Sequence, residues 1–127
     1  MIYRLASVTD WPAIAEYVNG RDYFMPVDLS TLGGHWAAAF DDVGAVHGTL
    51  WFFGEAPNAY VGYWAAETGL VAAKLGSFLA TICKSTGIQY VRGEVSCTNN
   101  PARRMATELF DMIESEHDYK VVFRSFC

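Results

Sequence analysis

No stretch of this chain is apolar for long enough to cross a bilayer, which takes ~18 consecutive apolar residues; polar or charged residues interrupt every run well before that. Basic residues are also few. Nine Lys and Arg stand against fourteen Asp and Glu, and only Arg103 and Arg104 are adjacent. A surface that tracks phosphates needs a basic stripe, so nucleic acid is not an expected partner. The cysteines, Cys83, Cys97 and Cys127, form an odd, widely spaced set that suits neither a disulfide framework nor a zinc site. His35, His47 and His117 are equally dispersed, and no metal is expected. The opening Met1-Ile2-Tyr3-Arg4 lacks the charged-then-apolar layout of a secretion signal. These absences together point to a cytoplasmic protein with no membrane attachment.

What is present is material for a core. Half of the 127 residues are apolar and 15% are aromatic, enough to bury a substantial interior in one domain spanning residues 1–127. Ile2 to Ala6 reads as a short strand. Thr9 offers an N-cap for a helix that tolerates Pro12 in its first turn. Ala13, Ile14, Tyr17 and Val18 recur at helical spacing until Asn19-Gly20. After an irregular stretch with one short helix beyond Asp28, Trp36–Phe40 and Ala45–Phe53 form a hairpin about Asp41-Asp42-Val43-Gly44. A third strand follows, from Ala59 to Ala66. Strands joined by such short loops imply an antiparallel meander.

The period then changes from two to 3.6. From Leu70, the residues Val71, Leu75, Phe78, Leu79 and Ile82 share one helical face, with Lys84 in the last turn and Gly87 beyond it. Ile88–Val95 returns to strand. A strand reached through a helix crossover is expected to lie parallel to its neighbour. Asn100-Pro101 starts a further helix carrying Ala102, Met105, Ala106, Leu109 and Ile113 on its apolar stripe, and Tyr119–Phe126 closes the chain as a strand. The expected fold is α+β: a mixed sheet, part meander and part crossover, with helices on both faces.

The segment Val95-Ser96-Cys97-Thr98-Asn99-Asn100-Pro101-Ala102-Arg103-Arg104-Met105 resembles the V-x-x-x-N-x-x-A-x-x-L segment of the GNAT N-acetyltransferase superfamily. The resemblance extends, as element order, over about nine-tenths of the chain. It implies an acyl-CoA-dependent N-acyltransferase with acetyl-CoA (coenzyme A) as cofactor. The acceptor would be an amine of a small molecule or a protein lysine or N-terminus. Asn99 falls at the family's asparagine near the pantetheine arm. Coenzyme A is long and carries an anionic diphosphate, which suits free amides at a helix N-terminus; its pantetheine amides suit the unpaired backbone of two diverging strands.

The family's phosphate loop follows Q/R-x-x-G-x-G/A. Set on Gly76, this chain reads Val71-Ala72-Ala73-Lys74-Leu75-Gly76, so Ala72, Ala73, Lys74, Leu75, Gly76 and Ser77 become the expected diphosphate contacts, with Arg103 reaching a further phosphate. Ala65 and Ala66, ending the third meander strand, supply the backbone donor for the thioester carbonyl. The base is expected at Glu94, with Glu67 second, or at His47 as a neutral imidazole. Where many relatives carry an acidic tyrosine, seven positions after the asparagine, this chain has Ala106, which leaves Tyr119 or Tyr63 for that role.

Each feature also has a plainer reading. Asn99-Asn100-Pro101 serves any capped helix, the residues around Gly76 any amphipathic one, and Tyr60, Tyr63, Trp64, Trp51, Phe52 and Phe53 any sheet core. A second functional reading therefore stands beside the first: the fold persists as a binding or structural module without catalysis, resembling small phage-encoded domains that serve in a virion or modulate host proteins. Aromatics plugging the cofactor groove, Trp64 first among them, would favour it. The sheet edge near Cys127 offers a second copy of the chain a strand to pair with, giving a homodimer.

Overall fold

The structure, a computed structural model, describes residues 1–21, 24, 26–96 and 120–126; the expected helix after Asn100 lies outside them, as do Asn99, Arg103 and Tyr119. Six strands form one sheet in chain order: β1 (Ile2–Leu5), β2 (His35–Phe40), β3 (Val46–Phe53), β4 (Asn58–Ala66), β5 (Tyr90–Ser96) and β6 (Lys120–Phe126). Neighbours are antiparallel from β1 to β4. The β4–β5 and β5–β6 pairs are parallel. The meander and the crossover expected from the pattern are both present.

Three α-helices are described: α1 (Trp11–Asn19), α2 (Leu29–Leu32) and α3 (Gly69–Thr86). They lie on opposite faces because successive strand residues point opposite ways. Ala37, Ala39, Leu50, Phe52, Val61 and Val91 meet Val71, Leu75, Leu79 and Cys83 of α3. Trp36, Ala38 and Phe40, on the alternate positions of β2, meet Ile14 and Val18 of α1 and Leu29 of α2. The three alanines of β2 are fully buried, so the middle of the sheet is thin under both layers.

Helix ends follow local chemistry. Gly87 takes the left-handed conformation that stops α3 (φ 77°), and its amide bonds the Cys83 carbonyl. Asp28 caps α2 by accepting from the Ser30 amide. Thr9 does not cap α1 as expected. A 3₁₀ turn over Val8–Asp10 precedes that helix, and the Asp10 carboxylate accepts from the Ser7 amide and from the Arg4 guanidinium, at 2.9 and 2.7 Å. Those bonds fix the turn one step later and hold the Asp10 carboxyl far below the usual carboxylate range.

Candidate functional site

The corner where β4 leaves β5 is the candidate site. The two strands pair only from Asn58–Tyr90 to Val61–Gly93, yet β4 runs on to Ala66 and β5 to Ser96. Backbone groups of residues 62–66 that face away from β3 thus have no strand partner among the described residues. An irregularity on the other side of β4 accompanies this parting. Between the Trp51–Gly62 and Thr49–Ala65 pairs, β4 holds one residue more than β3, a β-bulge. Tyr63, within it, adopts a left-handed φ of 48°, which costs energy for any residue but glycine. Thr49, fully buried, steadies the bulge by donating its hydroxyl to the Tyr63 carbonyl at 2.9 Å.

Past the bulge the chain enters α3 through Glu67 and Thr68. The Thr68 hydroxyl accepts from the Val71 amide and its carbonyl from the Ala72 amide. The amides of Gly69 and Leu70 come before the first helical bond and lie on an exposed turn. Gly48 of β3 lets the helix start here: a Cβ on it would sit 2.9 Å from Val71 Cγ1 and 3.1 Å from Leu75 Cδ1. The first turn of α3 therefore rests directly on the sheet.

Beside this turn, His47 sits between two carboxylates. Its Nε2 is 2.8 Å from Asp41 Oδ2 and its Nδ1 is 2.6 Å from Glu67 Oε2. Two acceptors on one ring require two N–H donors, which is the imidazolium form. Both bonds, Asp41 first, raise the His47 pKa above its ordinary 6.5, and the bond from His47 is the main cause that lowers that of Asp41. Around Tyr63, on the same face, lies an aromatic cluster. Its ring centroid is 5.3 Å from Phe24, 5.5 Å from Trp36 and 6.1 Å from Trp51.

The sequence expectations divide here. Ala65 and Ala66 end β4 at the open side, paired to Thr49 and Gly48. Glu94 is the first residue of β5 past its last pair with β4. Ala72, Ala73, Lys74, Leu75, Gly76 and Ser77 need correcting as diphosphate contacts. Thr68 starts the helix at Gly69, so these residues lie inside α3 with their amides in its hydrogen-bond ladder, and Ala72, Leu75 and Gly76 are buried. Lys74 leans away, its Nζ 5.7 Å from the Tyr3 ring on β1, at the far edge of the sheet. The outward turn is Glu67–Leu70, where Gly69 takes the fourth position of the loop pattern if that is set on residues 66–71. His47 was expected as a neutral base; both of its ring nitrogens face carboxylates, which favour the charged form instead. Tyr63 is packed among aromatics, and Trp64 is half-buried against the α3-side core. Asp41 was legible only as a turn residue; its spacing to His47 across a hairpin was the signal available.

No family model matches the sequence, and no curated protein does. Solved structures do match in fold. TofI in an apo form aligns with a TM-score of 0.66 at 12% identity, over 85% of this chain and 77% of that one. A protein described provisionally as a phosphinothricin N-acetyltransferase aligns at 0.66 with 20% identity, over 84% and 79%. TofI in a ternary complex with an inhibitor and MTA gives 0.59 at 10% identity. The fold is GNAT-like. No described helix is long and apolar enough to cross a membrane, and no described cluster of His, Cys, Asp and Glu could hold a metal ion.

Proposed function

We propose that this chain is an acyl-CoA-dependent N-acyltransferase that moves an acetyl or other acyl group to an amine of a small molecule or protein. The parting of β4 from β5, immediately ahead of a capped eighteen-residue helix, carries this reading. The open strand supplies backbone partners for the pantetheine amides, and the Gly69 and Leu70 amides face the diphosphate with the helix dipole behind them. The acceptor amine attacks the thioester carbon, and the carbonyl oxygen takes a hydrogen bond from a β4 amide near Ala65–Ala66. Collapse of that intermediate breaks the C–S bond and releases coenzyme A as the thiolate; the proton that the amine gives up to a base is returned to the sulfur through solvent, so that the products are the amide and the free thiol. Glu94, on the opposing strand, is the carboxylate the reading assigns to that role. The like-folded N-acetyltransferase supports acyl transfer in general and leaves the acceptor open.

Calorimetric titration with acetyl-CoA, followed by a thiol-release assay against a panel of amines, tests the proposal. Micromolar to submillimolar binding is expected, and absence of binding at millimolar cofactor refutes it. A second reading, a GNAT-like module that binds without catalysing, is favoured by the engagement of His47 with two carboxylates; binding without thiol release for any amine would select it.

A further inference from the structure

Glu67 poses an electrostatic problem for the proposed cofactor site. It lies two residues before α3, beside the Gly69 and Leu70 amides that are to receive a diphosphate. A carboxylate there repels an incoming anion as surely as the amides attract it. The structure contains its counterweight. The Glu67 side chain turns to His47, at 2.6 Å, and the same ring reaches Asp41 in the β2–β3 turn. The Asp41 carboxylate is itself held in place, accepting from the Val43 and Ala45 amides through its other oxygen. A backbone bond from the Glu67 amide to the His47 carbonyl, 3.1 Å, fixes the two residues side by side.

We propose that His47 is a positioning residue for anionic ligands at the α3 N-terminus: clamped by Asp41, its ring draws the Glu67 carboxylate away from the helix amides and offsets its charge, so that a diphosphate can dock. The inference rests on the acyl-CoA reading of the site. With the ring protonated, the trio carries one net negative charge; with the ring neutral, it carries two, and one nitrogen can no longer donate. Glu67 is then released beside the ligand. The groups facing His47 are Asp41 from the turn, with Asp42 next to it, Glu67 from the β4–α3 junction, and Tyr17 of α1, whose hydroxyl donates to the His47 carbonyl at 3.4 Å. The Arg21 guanidinium caps the Tyr17 ring, 3.8 Å from its centroid. Among the described residues no cation other than His47 is hydrogen-bonded to Glu67. The carboxylates on both ring nitrogens favour the charged ring and raise the His47 pKa above its ordinary 6.5, and the clamp opens as pH climbs through that raised value.

Calorimetry with dephospho-coenzyme A tests this, because that ligand's diphosphate keeps its charge from about pH 6 to about pH 8.5, a window that spans the ordinary imidazole value and the range above it. Wild-type affinity is expected to fall roughly fivefold across the window, with its midpoint at the His47 pKa followed by NMR of the ring carbons. Glu67→Gln, on an exposed turn, is expected to bind with no such dependence. Asp41→Asn is expected to keep the dependence and shift its midpoint down, an effect that a merely structural role would not produce. Wild-type binding that stays flat while His47 titrates, or a slope that survives in Glu67→Gln, overturns the inference and leaves the acyl-CoA reading intact. No binding by any variant at any pH overturns both.

Discussion

Replacing Thr49 with valine removes one hydroxyl and changes almost nothing in volume. Thr49 is fully buried, and its hydroxyl donates to the Tyr63 carbonyl at 2.9 Å. That carbonyl belongs to a residue held at φ 48° in the bulge, so the bond steadies a conformation the backbone would otherwise leave. Losing the donor leaves the acceptor unsatisfied at a cost of about 1–3 kcal/mol. The valine methyl recovers little, because Thr and Val are not interchangeable once a hydroxyl is engaged. For a domain of this size, 1 kcal/mol moves the melting midpoint by roughly 3–5 °C, so Thr49→Val should lower it by roughly 3–15 °C in a calorimetric or circular-dichroism melt. Thr49→Ser separates the two causes: it keeps the hydroxyl and loses a methyl, for about 1 kcal/mol. If the bulge sets the opening between β4 and β5, the valine variant also loses acetyl-CoA affinity in proportion beyond its stability loss, while the serine variant does not. A valine variant as stable as wild type, with cofactor affinity unchanged, would show that the Thr49–Tyr63 bond does not maintain the opening.

Further outcomes follow from the packing. Gly34→Ala places a Cβ 2.7 Å from Trp51 Nε1 and 2.9 Å from the Phe52 carbonyl, at a φ of 74°; it should destabilise by more than about 2 kcal/mol, read as a denaturant midpoint shift. Leu79→Ala, in the core under α3, should cost about 2–5 kcal/mol and leave the proposed cofactor site unchanged in the folded protein, checked by urea melts and acetyl-CoA titration. Cys83 is buried, with its pKa pushed up to about 11, so peptide mapping should find it unlabelled by iodoacetamide until the protein unfolds. The Asp41–His47 pair stabilises the fold in a pH window of known sign. The His47 contribution is complete below its ordinary 6.5 and is lost as pH rises through the raised folded value; that of Asp41 is complete above its ordinary 3.8 and is lost as pH falls through the lowered one. His47→Gln should flatten the alkaline limb of the stability curve.

Elements with a single dominant signal were legible in the sequence. The α3 stripe, its Gly87 stop and the hairpin around Asp41 depend on local periodicity and turn chemistry, and the structure has them within a residue or two. The parallel β4–β5 pairing followed from the crossover, because a strand, helix and strand in one sheet leave few alternatives. Two things were less legible, for different reasons. The phosphate loop was placed too late because Gly76 was taken for a loop glycine, although the helical stripe was read from Leu70; Thr68, a good cap, ends the loop eight residues before Gly76. Gly76 is a helix residue with its face on the sheet. The His47 clamp was legible only in part: Asp41 lies across the hairpin from His47, but Glu67 reaches the ring only once the meander folds. His47 was picked out for its place on a strand, and the carboxylates that favour its charged form were not visible, because a ring's charge depends on neighbours that sequence order does not reveal.

The corner holding the candidate site is assembled from residues whose reasons are mutually dependent. Gly48 lets α3 begin against β3, which brings Thr68 and the free amides of Gly69 and Leu70 to the end of β4. For β4 to arrive there while leaving β5, it must gain a residue relative to β3, and the bulge at Tyr63 does that under the hold of Thr49. The same bulge turns the Tyr63 ring into the aromatic cluster on the α1 face, with Trp36 and Trp51. A Cβ at position 48 would crowd Val71 and Leu75 of the helix, and loss of the Thr49 bond would release the Tyr63 carbonyl in the bulge; both changes act on this corner from outside the exposed turn at Gly69 and Leu70. The local conflicts in this sequence, a non-glycine residue at positive φ and a carboxylate beside the exposed first turn of a helix, therefore coincide in one place, where β4 departs from ordinary strand pairing.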